Sequence, residues 1–206
     1  MTKNKWAYIT SVIFHPLLLP SFFLLILFTF PPQYNLSGYT TFKWLLLLFV
    51  FFLTFVIPAL LTLLFVKIKV IRQININKKE SRIIPLLTVG IVYYITFYTL
   101  SKVNAIPGYN LFLLGSTVLI WLTLYVTYFY KISLHLTAWG GFTGALIGYG
   151  LLIPFHGIFF WIVISVFLSG IVGTARLTLK EHTPLQVYSG FITGLSVMLL
   201  LFLFLK

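Results

Sequence analysis

Seven apolar stretches dominate the chain, at roughly 8–30, 44–65, 83–100, 109–130, 136–153, 157–175 and 184–205. A helix needs about 20 apolar residues to cross a bilayer, and most of these runs reach that length. The third is the shortest. In hydrocarbon no water can bond the backbone, so each stretch must close its own hydrogen bonds as a helix. Only 8% of residues are charged and 60% are hydrophobic, whereas soluble domains carry about 25% charged residues. The expected fold is therefore an all-α integral membrane protein, a compact bundle of six or seven transmembrane helices. Pro31-Pro32, the stretch 104–108 and the stretch 154–157 separate the spans. With no repeat, low-complexity tract or polar linker, residues 1–206 read as a single transmembrane domain. The first run is too long for a cleavable signal and reads as a retained span.

The sparse charges are mostly positive, 14 Lys and Arg against two acidic residues. With seven spans and the N-terminus inside, only Lys43, Lys102 and Lys206 fall outside. That bias favours an N-terminus in the cytoplasm. The net charge of +12 suits attraction to anionic lipid, and no soluble domain exists to present a nucleic-acid surface. Ile, Asn and Lys usage points to a bacterial inner membrane. In this arrangement the junctions 77–85, 131–135 and 175–182 share one face, so distant parts of the chain can meet at one membrane surface.

Composition removes several chemistries. There is no cysteine and no aspartate, and Glu80 and Glu181 are the only acidic residues. Thiol nucleophiles, paired-carboxylate catalysis and carboxylate-rich metal sites are thereby excluded. No metal or other cofactor is expected. Acid–base work near neutral pH falls to His15, His135, His156 and His182. His15 precedes Pro16 inside the first span; it reads as a partner for backbone freed by the proline and is left out of the site. His156 lies in a turn on the opposite face.

The stretch GTARLTLKEHTPLQVYSG at 173–190 departs from its apolar surroundings. Thr183, Pro184 and Gln186 form a capping box with proline at the first helical position, so the last helix starts there. His182 lies just before that N-terminus, where free N–H groups favour an anion. Arg176 adds a forked donor suited to phosphate. From across the bundle, KISLH offers Lys131, Ser133 and His135. Together these can cleave a phosphate ester: one histidine attacks phosphorus, the other protonates the leaving oxygen, and the cations hold the phosphoryl oxygens. Gly140, Gly144 and Gly148 recur every fourth residue, as do Gln186, Gly190 and Gly194, which predicts close helix packing beside the site.

Arg176-x5-His182-x3-Gln186, with Ser133-x-His135 upstream, resembles the type 2 phosphatidic acid phosphatase superfamily. That family's third motif is Ser-Arg-x5-His-x3-Asp and its second is Pro-Ser-Gly-His. The resemblance covers roughly residues 78–190. It implies a metal-independent helical phosphatase acting on a lipid phosphate or diphosphate through a phosphohistidine. By position, His182 would be the nucleophile, His135 the general acid, Gln186 the orienting residue, and Arg176, Ser133 and Lys131 phosphate-binding residues. Arg82 and Lys79 would stand in for a first motif, Lys-x6-Arg-Pro, that the chain does not meet. Ala175, Ile132 and Leu134 also depart from the pattern. Gln186 occupies the Asp position, as in the active animal glucose-6-phosphatase branch, to which His-Thr-Pro-Leu-Gln-Val is similar. The expected partners are a lipid phosphate substrate and membrane lipids. The alternatives are a catalytically inactive relative that binds lipid or acts as a scaffold, and a small transporter. A serine protease of the Gly-x-Ser-x-Gly type lacks its elbow.

Overall fold

The computed structural model describes residues 4–29, 40–69, 80–103, 107–153 and 157–205. Every regular element among them is helical. The order is α1 (Lys5–Ile13), a 3₁₀ turn (Pro16–Leu18), α2 (Leu19–Thr29), α3 (Thr40–Phe51), a π-helical turn (Phe52–Val56), α4 (Ile57–Lys67), α5 (Glu80–Val103), α6 (Pro107–Phe129), α7 (Leu134–Leu152), α8 (Ile158–Thr178) and α9 (Pro184–Phe204). Six helical stretches are long and apolar enough to cross a membrane: Lys5–Phe28, Thr41–Lys67, Arg82–Lys102, Gly108–Phe129, Ile158–Thr178 and Pro184–Phe204. The chain is thus an all-α integral membrane protein.

Two spans are locally broken by proline. Pro16 has no N–H and its ring crowds the preceding turn, so the first span changes from α1 through a 3₁₀ turn into α2. Pro58 acts similarly on the second span, where the π turn lies between α3 and α4. The third stretch, short by composition, is a helix of 24 residues, Glu80–Val103. Its polar ends continue the helix beyond the apolar core that composition marks.

The chain divides into two compact units. One holds Met1–Leu19 with Phe129–Lys206, and the other holds Pro20–Tyr128. Within the second, Phe23 and Phe112 stack with centroids 4.3 Å apart, beside Tyr109. Arg82 belongs to this unit and is buried near the start of α5.

In the first unit α7 is the central helix. It packs most extensively on α9 and also on α8, while α1 packs on α8. Nearly all of α7 from Leu136 to Tyr149 is buried. A helix enclosed by protein on all sides needs no lipid-facing Leu and Ile. This explains why α7, rich in Gly and Thr, is the seventh apolar stretch yet absent from the six strongest spans. Gly140 and Gly144 lie against the backbone of Phe191 and Leu195, and Gly194 lies against Thr137 and Gly141. A Cβ on Gly190 would come within 2.9 Å of the Ser133 carbonyl oxygen. The two four-residue glycine rows face each other, so the backbones of α7 and α9 touch as the spacing predicts.

α8 ends in a Schellman motif. Lys180 N–H bonds the Leu177 carbonyl at 2.9 Å, and Glu181 N–H bonds that of Arg176 at 3.3 Å. Lys180 takes the left-handed position, φ 54°, where glycine is the unstrained residue. Lys180→Gly is expected to stabilise the protein by about 1 kcal/mol, read as a higher midpoint in thermal unfolding in detergent.

Candidate functional site

The site is assembled within the first unit from four chain segments: the break after α1, the loop entering α7, the end of α8 and the start of α9. Ser133 N–H donates to the Gln186 carbonyl at 3.2 Å. That bond joins the 131–135 segment directly to the first turn of α9, across fifty-odd residues of sequence.

The capping box of α9 is present. Thr183 Oγ1 accepts from Gln186 N–H at 3.4 Å, and Gln186 Oε1 accepts from Thr183 N–H at 3.2 Å. A backbone N–H can only donate, so the Gln186 atom facing it is the amide oxygen. The same oxygen lies 3.1 Å from His182 Nδ1. Nδ1 must therefore carry the proton, and the lone pair of neutral His182 sits on Nε2. Gln186 does two jobs with one oxygen: it caps the helix and sets the histidine tautomer. The box also consumes the N–H groups of Thr183 and Gln186, while Pro184 has none, which leaves Leu185 as the one first-turn N–H the box does not use. The α9 terminus is thus less of an anion site than its position in the sequence implies.

The N-terminus of α7 is the more open one. Ser133 stands at its N-cap in an extended conformation, but its hydroxyl makes no capping bond. Ser133 Oγ is fully buried and has no hydrogen-bond partner among the described residues. The Ser133 side chain thus leaves the first turn of α7 uncapped.

His135 and Trp139, four apart on one face of α7, dock into the break of the first span. His135 Nε2 donates to the Ser11 carbonyl at 3.2 Å, and Trp139 Nε1 donates to that of Phe14 at 3.2 Å. Both carbonyls lie in the last turn before Pro16, where a helix has acceptors without intrahelical donors. A carbonyl only accepts, so His135 Nε2 is protonated and Nδ1 is the nitrogen left for chemistry. His15 Nδ1 accepts from Leu17 N–H at 3.3 Å and starts the 3₁₀ turn. Its ring meets that of His135 edge to face, with centroids 5.6 Å apart. The charge of Arg176 acts on both His15 and His135.

Arg176 is buried, 4% exposed, at the end of α8. Its Nη2 is paired with the Glu181 carboxylate, and its Nε has no hydrogen-bond partner among the described residues. An open depression of about 550 Å³ borders this group, with Lys131, Lys180, Glu181, His182 and Gln186 in its wall. Ser133, His135 and Arg176 are not part of that wall; Glu181, His182 and Gln186, which bond within the same group, are.

The structure therefore gathers six residues named from the sequence: Lys131, Ser133, His135, Arg176, His182 and Gln186. Arg82 lies in the other unit, and Lys79 and His156 lie outside the described residues. Two residues were missed. His15 was set aside because a histidine beside an intramembrane proline reads as a local backbone partner; its bond to Leu17 is of that kind, but its ring also reaches His135. Glu181 carries no motif signal, since its pairing with Arg176 depends on the Schellman turn between them.

The Gln186 contact has a measurable consequence. Gln186→Ala removes both the cap and the tautomer lock. It should cost about 1 kcal/mol of stability through the cap. In ¹⁵N spectra of the imidazole rings, His182 should change from a single Nδ1–H form to a tautomer mixture, while Gln186→Glu keeps the lock.

No family model matches the chain, and no curated protein or solved structure matches it.

Proposed function

We propose that the protein is a metal-independent membrane phosphatase that hydrolyses a lipid phosphate or diphosphate through a phosphohistidine. The observation that carries this reading is the Gln186 bond to His182 Nδ1, which leaves the Nε2 lone pair as a nucleophile. That nitrogen attacks phosphorus, and the P–O bond to the lipid breaks. The leaving oxygen takes a proton from His135, which gains it at Nδ1 when the phosphate anion enters beside it and whose Nε2–H stays on the Ser11 carbonyl. His135 Nδ1 then removes a proton from water, the water oxygen bonds to phosphorus, and the P–N bond breaks to release inorganic phosphate. Arg176, Ser133 and the first turn of α7 supply donors for the phosphoryl oxygens, and Lys131 and Lys180 attract the headgroup to the depression.

The resemblance of Arg176-x5-His182 and Ser133-x-His135 to the type 2 phosphatidic acid phosphatases supports the same chemistry. The positive-inside distribution supports a site at the cytoplasmic face, and the residue usage supports a bacterial inner membrane. A second reading, a phosphoanion-binding relative without turnover, is favoured by the Arg176–Glu181 pair, which occupies part of the guanidinium fork.

Incubation of detergent-purified protein with ³²P-labelled phosphatidic acid and polyprenyl diphosphate separates the two. The phosphatase releases inorganic phosphate and retains acid-labile, base-stable label on the protein. Absence of both, with headgroup binding intact, would establish the binding protein instead.

A further inference from the structure

In the first unit, buried helical hydroxyls follow one habit. Thr137, Thr143 and Ser169 each donate to the carbonyl four residues back, and Ser165 to the carbonyl three back. This is the default for a hydroxyl inside a helix, whose nearest acceptor is the carbonyl one turn back. Ser11 and Ser189 break the habit, and of the two only Ser11 has a described bond to a candidate site residue. It lies within α1 and is 6% exposed, and its Oγ has no hydrogen-bond partner among the described residues. Leaving a buried hydroxyl unbonded costs about 1–3 kcal/mol.

Its position gives the exception meaning. The Ser11 carbonyl receives His135 Nε2 at 3.2 Å, so the residue stands directly beside the candidate acid. Ser133, two residues before His135 at the N-cap of α7, has an orphaned hydroxyl as well. Arg176, whose charge reaches His135, has an orphaned Nε. Three buried atoms from three elements lack partners among the described residues: Ser11 Oγ, on the residue whose carbonyl holds His135, Ser133 Oγ, at the uncapped start of α7, and Nε of Arg176. Such a set suits a tetrahedral oxyanion, which can accept from all three at once.

We propose that Ser11 is a phosphate-binding residue, and that the first helix supplies a hydroxyl to one phosphoryl oxygen in a cage shared with Ser133 and Arg176. This rests on the phosphoanion reading of the site and does not require turnover. The ligand chemistry is a phosphate group, whether a lipid headgroup or free phosphate.

Calorimetry tests it with two probes: inorganic phosphate added to protein in a neutral detergent, and phosphatidylcholine vesicles doped with phosphatidic acid. Wild-type protein should bind at least one probe, and the probe bound identifies the source. Ser11→Ala should weaken that binding about tenfold, the size of one hydrogen bond to a charged acceptor. Ser11→Thr, which keeps the hydroxyl, should restore it. Ser11→Cys, near in volume and a weak donor, should behave like Ser11→Ala and serves if the alanine variant does not fold. Unchanged binding in Ser11→Ala, equal loss in Ser11→Thr, or no binding of either probe by the wild type overturns the proposal. If the wild type binds phosphate through Ser11 but releases none from lipid, the phosphatase reading fails and the Ser11 assignment stands.

Discussion

His182→Ala is expected to reduce phosphate release by about a thousandfold or more, because it removes the atom that bonds phosphorus in the proposed reaction. The protein should remain folded. His182 sits in the turn between two helices, and the α9 capping box, made by Thr183 and Gln186, does not include the imidazole. Retained elution volume and thermal midpoint, with lost turnover and lost acid-labile label, would complete the expected pattern. Undiminished phosphate release by the variant would remove His182 from the reaction and leave the phosphohistidine mechanism without a nucleophile. His135→Ala differs in kind. It also deprives the Ser11 carbonyl of its donor, so it should lose stability as well as activity.

Gly194→Ala should be among the most destabilising small substitutions at the described glycines. The added Cβ meets the Thr137 carbonyl and the Gly141 backbone nitrogen, not the tip of a flexible side chain. Relief requires α7 and α9 to separate along their shared seam. We expect a loss of roughly 3 kcal/mol, at the upper end of overpacking costs, or about 6–12 °C in the unfolding midpoint. Separation at Gly194 also strains the Ser133–Gln186 backbone bond, so activity should fall with stability. Gly170→Ala is the control: nothing lies within 4 Å of its added Cβ, and relief of helix-interior glycine should stabilise by up to about 1 kcal/mol. A midpoint for Gly194→Ala equal to that of wild type would show that the α7–α9 contact is not as close as the backbone places it.

Much of this protein was legible from one dimension. Helical class and membrane insertion follow from apolar length and the absence of charge, since a bilayer leaves the backbone few alternatives. The start of α9 followed from Thr183, Pro184 and Gln186, because capping is a local interaction among neighbours in sequence. The glycine rows likewise announced where two helices could touch.

The rest depended on contacts between distant residues. Composition alone could not show that α7 would be wrapped by protein, because burial is a property of its neighbours. Nor could it show that the break at Pro16 receives His135 and Trp139, bringing Ser11 and His15 to the site. Arg176 looked free for phosphate until the left-handed Lys180 turned Glu181 back onto it. Local hydrogen bonding fixes helices and caps from a few adjacent residues. The candidate site is made of side chains more than a hundred positions apart, and only packing of the helices decides which of them meet.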